Sequence, residues 1–346
     1  MSSKGLVLVT GVNGYIGGQS VAALLRAGYS VRGTARSAKT TKPLFDALPE
    51  YADRLQIAEV PDITVEGAFD EAIKGVDAVA HIAAPVAATF TDPEPVMQGA
   101  VGGVLRALES AAKEPRVKSF VFMSSIAAIR SPKEGDYTYT EKDWNDYALQ
   151  TVEEKGKETP GFIIYAASKT AAEKALWKFR DEHSPHFTVT ALNPCFVAGP
   201  SLVPPASVDQ INFTTKPIFQ VLAGTPLDEA HVVKTSYPAY VDVRDVARLV
   251  VFGIEHPEKA GGERFLAAAH YGPPQAVADI LRNQYPDRAG VIAEGTAGDG
   301  YLPGYKFPKK MVFDGSKVVK LTGQDYIPLE QTVIDLAEQT KGLISV

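Results

Sequence analysis

A chain of 346 residues with 45% hydrophobic content can bury a large core and exceeds the usual size of one compact unit, so a large domain and a smaller one are expected. The net charge of -6, with no long run of like charges, leaves no basic footprint for nucleic acid or an anionic membrane. Cys195 is the single cysteine, so no intrachain disulfide forms; with no signal-peptide pattern at the start and only strand-length apolar runs, a cytoplasmic chain without a membrane span is expected.

From the N-terminus, strands are predicted at 6–10, 30–35 and 55–60, each followed by a helix, the first of which ends near Ala27. The alternation continues with a strand at 78–83, a helix from about Pro95 to Ala112, a strand at 119–123, a helix from about Phe162 to Glu182 and a strand at 188–192. These strands are almost wholly apolar, as in a parallel sheet covered on both faces. The expected class is therefore α/β, a Rossmann doubly wound parallel sheet with an interleaved smaller C-terminal substrate lobe. Past Asn193, Gly199-Pro200, Pro204-Pro205 and Pro217 break the pattern, until Asp242 caps a helix running to about Ile254. The expected division gives residues 1–195 plus about 239–267 to the sheet domain and about 196–238 plus 268–346 to the smaller lobe.

The first strand runs into Thr10-Gly11-Val12-Asn13-Gly14-Tyr15-Ile16-Gly17, and helical periodicity follows at once. Gly11 permits a tight turn, Gly14 lets backbone approach a pyrophosphate, and Gly17 lets the helix pack closely on the sheet. The turn, with Thr10, Asn13, Tyr15 and Ile16, is assigned to a dinucleotide. At the end of the second strand Ala35 holds the place where an NAD-binding chain would carry an acidic residue, and Arg36 follows, a cation suited to a 2′-phosphate. The cofactor expected is NADP(H). Lys39 and Lys42 are lesser phosphate candidates, and Arg32 is read either as a further one or as a solvated strand-end residue. Asp62 and Ile63 could meet the adenine, and the small residues Ala83, Ala84 and Pro85 would let backbone lie against the cofactor. His81 is read as a satisfied strand histidine.

Tyr165 and Lys169 stand one helical turn apart on one face. A phenol is a poor acid at neutral pH, and a fixed cation beside it would lower its pKa toward the range useful for general acid catalysis. Lys169 would also hold the nicotinamide ribose. Ser125 ends the fifth strand at the same sheet edge as the glycine turn, where its hydroxyl could steady charge developing on a carbonyl oxygen. Ser124 is read as a local backbone cap.

At these residues, and at Tyr240-Val241-Asp242, the chain resembles the extended short-chain dehydrogenase/reductase family. It is most similar to the dihydroflavonol and cinnamoyl-CoA reductase branch, and especially to the fungal NADPH-dependent ketone, aldehyde and methylglyoxal reductases. Val31 to Ser37, His81 to Pro85, Tyr165 to Lys178 and Asn193 to Pro200 carry that likeness. The resemblance implies a Ser-Tyr-Lys mechanism on Ser125, Tyr165 and Lys169, NADPH as reductant, and a place for Asn193 to Val197, with Pro194 and Val197, beside the nicotinamide.

The expected activity is reduction of a ketone or aldehyde to an alcohol, by a monomer or a homodimer. Two alternatives stand beside it: a nucleotide-sugar epimerase or dehydratase on the same fold, and a cofactor-sensing protein without chemistry. Elimination needs a further acid/base pair next to the serine, whereas Ser125 is followed by Ile126-Ala127-Ala128-Ile129, apolar residues fit for a pocket wall. Phe90, Ile126, Ala127, Phe196 and Tyr237 are candidate substrate-pocket residues. His183 and His186 are read as a solvated loop and Cys195 as a buried small residue, so no metal is expected.

Overall fold

The computed structural model describes residues 3–84, 90–227, 229–230, 239–294 and 311–344. In chain order its strands are β1 (Leu6–Thr10), β2 (Ser30–Ala35), β3 (Leu55–Glu59), β4 (Ala78–His81), β5 (Ser119–Met123), β6 (Tyr137–Tyr139), β7 (Thr188–Pro194), β8 (Phe196–Ala198), β9 (Ala239–Asp242), β10 (Arg264–Ala267), β11 (His270–Tyr271) and β12 (Met311–Phe313). Seven of them form one parallel sheet in the order β10-β7-β5-β4-β1-β2-β3. The chain builds outward from β1, first through β2 and β3, then through β4, β5, β7 and β10 on the other side. The switch between the two directions opens a crevice at the carboxyl ends of β1 and β4.

Successive side chains of a strand point to opposite faces, and both faces are covered. Val7 and Val9 of β1, with Val121 and Met123 of β5, pack against helices Tyr15–Arg26 and Val243–Glu255. Leu8, Phe120 and Phe122 pack on the other face against helices Pro93–Lys113 and Gly161–His183. Burial on both sides is why these strands read as continuous apolar runs rather than alternating ones.

The strands expected from the sequence are present, with β3 and β4 ending earlier than expected and β7 continuing to Pro194. The helix expected after the third strand does not form. Residues 66–75 make successive turns, because Gly67 and Gly75 take φ values of 72° and 73° in the left-handed region that ends a helix. Phe69, Ile73 and Val76 still bury their side chains from those turns.

A second group of elements packs beyond the carboxyl edge. β8, β9 and β11 form a small sheet, and helices Lys216–Leu222, Pro274–Gln284 and Leu329–Thr340 enclose Ile218, Leu222, Val277, Leu281, Val333 and Leu336. Asp242, at the end of β9, accepts from the Arg244 backbone at 2.8 Å and so starts the Val243–Glu255 helix, which returns to the main sheet. β6 and β12 pair separately as a two-stranded parallel ribbon.

Candidate active site

The link from β1 to the first helix is set by contacts that only glycine allows. Gly11 has φ 72°, and a Cβ on Gly17 would lie 2.1 Å from the Gly11 carbonyl oxygen. The helix then begins at Tyr15 with Gly14 as its N-cap, no side chain capping it and no acidic residue in its first turn. Its backbone N–H groups and positive dipole end are thus left for an anion, the arrangement that suits a dinucleotide pyrophosphate. Asn13 Nδ2 donates to Thr40 Oγ1 at 3.1 Å, fastening the turn to the segment after β2, and Ile16 packs on the core. The Tyr15 hydroxyl donates to the Gly199 carbonyl, and burial, with Asp242 nearby, pushes its pKa well up.

Thr10 closes the other side of the turn. Its hydroxyl oxygen accepts from the Ile82 and Ala83 backbone at 2.9 Å each, so its own proton points to His81 Nδ1 at 3.2 Å. His81 therefore accepts at Nδ1 and is neutral. Its ring lies among Phe69, Phe120 and Phe122, and burial pushes its pKa down to about 3. The pair draws Ala83 against the glycine turn, where a Cβ on Gly11 would lie 3.1 Å from Ala83 Cα. Ala84 follows, half-buried; Pro85 lies outside the described residues.

At the other end of the crevice Arg36 is exposed just past β2, while Lys42 is paired with Asp46 at 2.6 Å. Arg32 is neither a solvated residue nor directed to a phosphate: Nη1 donates to the Ala72 and Lys74 carbonyls at 2.8 and 2.7 Å, and so holds the turns after β3. Asp62 Oδ1 accepts from the backbone and hydroxyl of Thr64, which lowers its pKa. The Ile63 side chain packs against Gly103 of the Pro93–Lys113 helix.

Ser125 caps a short 3₁₀ turn, Ile126–Ala128, its hydroxyl accepting from the Ala127 backbone at 3.1 Å. Tyr165 comes up beside it from the Gly161–His183 helix. Burial raises the phenol pKa, and a hydrogen bond from Ser125 opposes the rise. Lys169, 4% exposed, donates from Nζ to the Met123 carbonyl at 3.2 Å. Burial pushes its pKa down to about 8, against the attraction of Glu173. The expectation that the lysine cation lowers the phenol pKa is not met in this arrangement: desolvation dominates at Tyr165, and Ser125 is the group that works against it.

Sequence reasoning missed Glu173, which stands one turn beyond Lys169 with its carboxylate fully buried. The signal was its place on the Tyr165–Lys169 stripe of a helix whose other buried residues include no acidic group. Ser124, read as a local cap, instead donates to Glu173 Oε2 at 2.5 Å.

The remaining candidates spread outward. Ile126 and Ala127 are half-buried directly past Ser125, and Phe90 is half-buried at the edge of the described residues. Pro194 ends β7, and Val197 is buried in β8. Phe196 leans on Tyr240 in the core of the smaller lobe, with ring centroids 6.4 Å apart; Tyr237 lies outside the described residues. His183 stacks on Phe179, His186 bonds the Glu114 carbonyl at 3.0 Å, and Cys195 is buried with its thiol pKa pushed up.

Residues 7–268 match the model of the NAD dependent epimerase/dehydratase family. The chain is 33% identical over 340 residues to an uncharacterized oxidoreductase of Schizosaccharomyces pombe, covering 96% of both chains. It is 30% identical to the NADPH-dependent methylglyoxal reductase GRE2 of Saccharomyces cerevisiae, over 96% of this chain and 97% of that one. The crystal structure of yeast methylglyoxal/isovaleraldehyde reductase Gre2 complexed with NADPH superposes with a TM-score of 0.84 at 30% identity, covering 98% of this chain and 100% of that chain. Among the described residues no helix is long and apolar enough to cross a membrane.

Proposed function

The chain belongs to the NAD dependent epimerase/dehydratase family, and on that footing we propose that it is an NADPH-dependent carbonyl reductase that converts a ketone or aldehyde to an alcohol. The observation that carries this reading is the approach of Ser125, Tyr165 and Lys169 to one another at the carboxyl edge of β5, beside the uncapped helix after the glycine turn. The NADPH-dependent relatives support the choice of cofactor, and exposed Arg36 is the cation to meet its 2′-phosphate.

Bound NADPH supplies a hydride. Ser125 holds the substrate oxygen and steadies the charge that grows there. Tyr165 gives its phenol proton to that oxygen, and Lys169 keeps positive charge close to the phenolate left behind. Thr10, Gly11, Asn13, Gly14, Tyr15, Ile16 and Gly17 cradle the pyrophosphate, Asp62 and Ile63 border the adenine, and Ala83, Ala84, Pro194 and Val197 border the rest. The substrate sits between the sheet domain and the smaller lobe, with Phe90, Ile126, Ala127 and Phe196 as its apolar surroundings. Ile126 and Ala127 move no proton, so one hydride and one proton, not an elimination, fit the site.

The test is loss of NADPH absorbance with a panel of ketones, diketones, α-keto esters and aldehydes, for the wild type and for Tyr165→Phe. The expected result is NADPH-selective turnover, reduced by about a thousandfold or more in the variant while NADPH binding is retained. Undiminished turnover in Tyr165→Phe would overturn the mechanism, and no turnover with any carbonyl would overturn the activity.

A further inference from the structure

Glu173 gathers donors from four parts of the fold. Its carboxylate accepts from the Ser124 hydroxyl beyond β5, from Asn193 Nδ2 on β7 at 2.7 Å, from the Trp177 indole on its own helix at 3.4 Å, and from Arg264 Nε on β10 at 2.5 Å. Asn193 Nδ2 also donates to the Ser125 carbonyl at 3.2 Å. Arg264 is itself buried, with its guanidinium 3.8 Å from the Trp144 ring centroid and Nη1 on the Glu141 and Asp143 carbonyls. One carboxylate thus stands among the serine, the lysine and the strands that carry the proposed catalytic groups.

The charge balance around Lys169 gives this arrangement a role. Its ammonium donates to a neutral carbonyl, and a buried cation without a counter-ion loses its proton. The titratable groups facing it are Tyr165 and Glu173 on its own helix and neutral His81 on β4, with Arg264 beyond Glu173. Of these, Glu173 is the anion. Glu173 pairs directly with Arg264, whose Nε is 2.5 Å from the carboxylate, and it stands buried one helical turn beyond Lys169 on the same helix, so that its charge also acts on the lysine ammonium.

We propose that Glu173 is a positioning residue that keeps Lys169 in its ammonium form and, through Ser124 and Asn193, holds the Ser125 backbone in register with it. This deepens the reductase reading and rests on it for its kinetic consequence. A purely structural role, as counter-ion to Arg264, would leave Lys169 unaffected.

Two variants separate these roles. Glu173→Gln keeps the shape and removes the charge; Glu173→Met with Arg264→Met removes the Glu173–Arg264 pair together, so that Arg264 is not left as an unpaired buried cation. The direct measurement is NMR titration of the lysine side-chain nitrogens in the full chain, with the Lys169 resonance identified from Lys169→Arg. The titration midpoint of Lys169 is expected to fall by about one unit or more in both variants. The alkaline limb of kcat/KM for NADPH-dependent carbonyl reduction is expected to move down with it, with about a tenfold loss of rate at a pH one unit above the new midpoint. Should Glu173→Gln not fold, the double variant carries the test.

An unchanged Lys169 midpoint in a folded variant overturns the proposal and leaves Glu173 as the partner of Arg264 alone. A falling midpoint in a protein that reduces no carbonyl supports the assignment of Glu173 while defeating the reductase reading, so the two failures are distinguishable.

Discussion

The Tyr15 hydroxyl donates to the Gly199 carbonyl oxygen at 2.7 Å, joining the first turn of the glycine-turn helix to the chain that leads into the smaller lobe. Gln19 strengthens the same seam by donating to the Pro200 carbonyl at 2.9 Å. Gly199 is held at φ 103° against the Asp242 carboxyl, where any Cβ would be 2.8 Å from an Asp242 oxygen. The first turn of the helix after the glycine turn and the chain just past β8 are therefore parts of one contact. Tyr15→Phe keeps the ring and removes the bond, leaving a carbonyl without its donor. The expected cost is about 1 kcal/mol in urea unfolding; equal midpoints and slopes for variant and wild type would refute the coupling.

Arg36 is the exposed cation proposed to select the phosphorylated cofactor. Replacement by alanine removes a charge-assisted contact worth about 1.5 to 3 kcal/mol, so the KM for NADPH should rise by about 10- to 100-fold. The KM for NADH, which has no 2′-phosphate, should change little. Parallel losses with both cofactors would assign Arg36 to general folding or to the pyrophosphate instead.

His81 makes stability depend on acid. It titrates near 6.5 when unfolded and about 3 when folded, so between those values the unfolded chain binds the extra proton. Its contribution is fully present above pH 6.5 and is lost progressively as pH falls toward 3. Lowering the pH from 6.5 to 5 should remove on the order of 2 kcal/mol through this residue. Urea midpoints measured across that window for the wild type and His81→Gln check it, the variant being expected to show a shallower slope. Equal slopes would show that other groups carry the acid sensitivity.

Gly17→Ala should abolish NADPH binding, because its Cβ would lie 2.1 Å from the Gly11 carbonyl and the helix would have to move off the turn. An overpacking cost of about 3 kcal/mol is expected. Gly135→Ala is the control. That residue has a positive φ, 69°, as Gly17 does not, but nothing lies within 4 Å of its missing Cβ, so only a backbone cost of about 1 to 2 kcal/mol applies and binding should persist. Isothermal titration with NADPH separates the two.

The glycine turn was legible because its information is local: strand, three spaced glycines and helix occupy one stretch, and steric exclusion at Gly11 and Gly17 acts within that stretch. Tyr165 and Lys169 were legible for the same reason, as two positions on one helical face. Arg32 was misread because its partners, the Ala72 and Lys74 carbonyls, lie about forty residues away in turns that the sequence suggested would be helix. Ser124 was misread because its partner stands on another element.

By itself the sequence determined the run of parallel strands, the glycine turn that leads into the first helix, and the placing of Tyr165 and Lys169 on one helix face, since periodicity and glycine sterics need only near neighbours. Only the tertiary structure decided how those groups are charged. Burial raises the Tyr165 pKa and lowers that of Lys169, Thr10 fixes His81 as neutral, and Glu173 meets donors from β7, β10 and the end of β5. Desolvation and ion pairing depend on which distant segments close over a group, and no local pattern of residues specifies that.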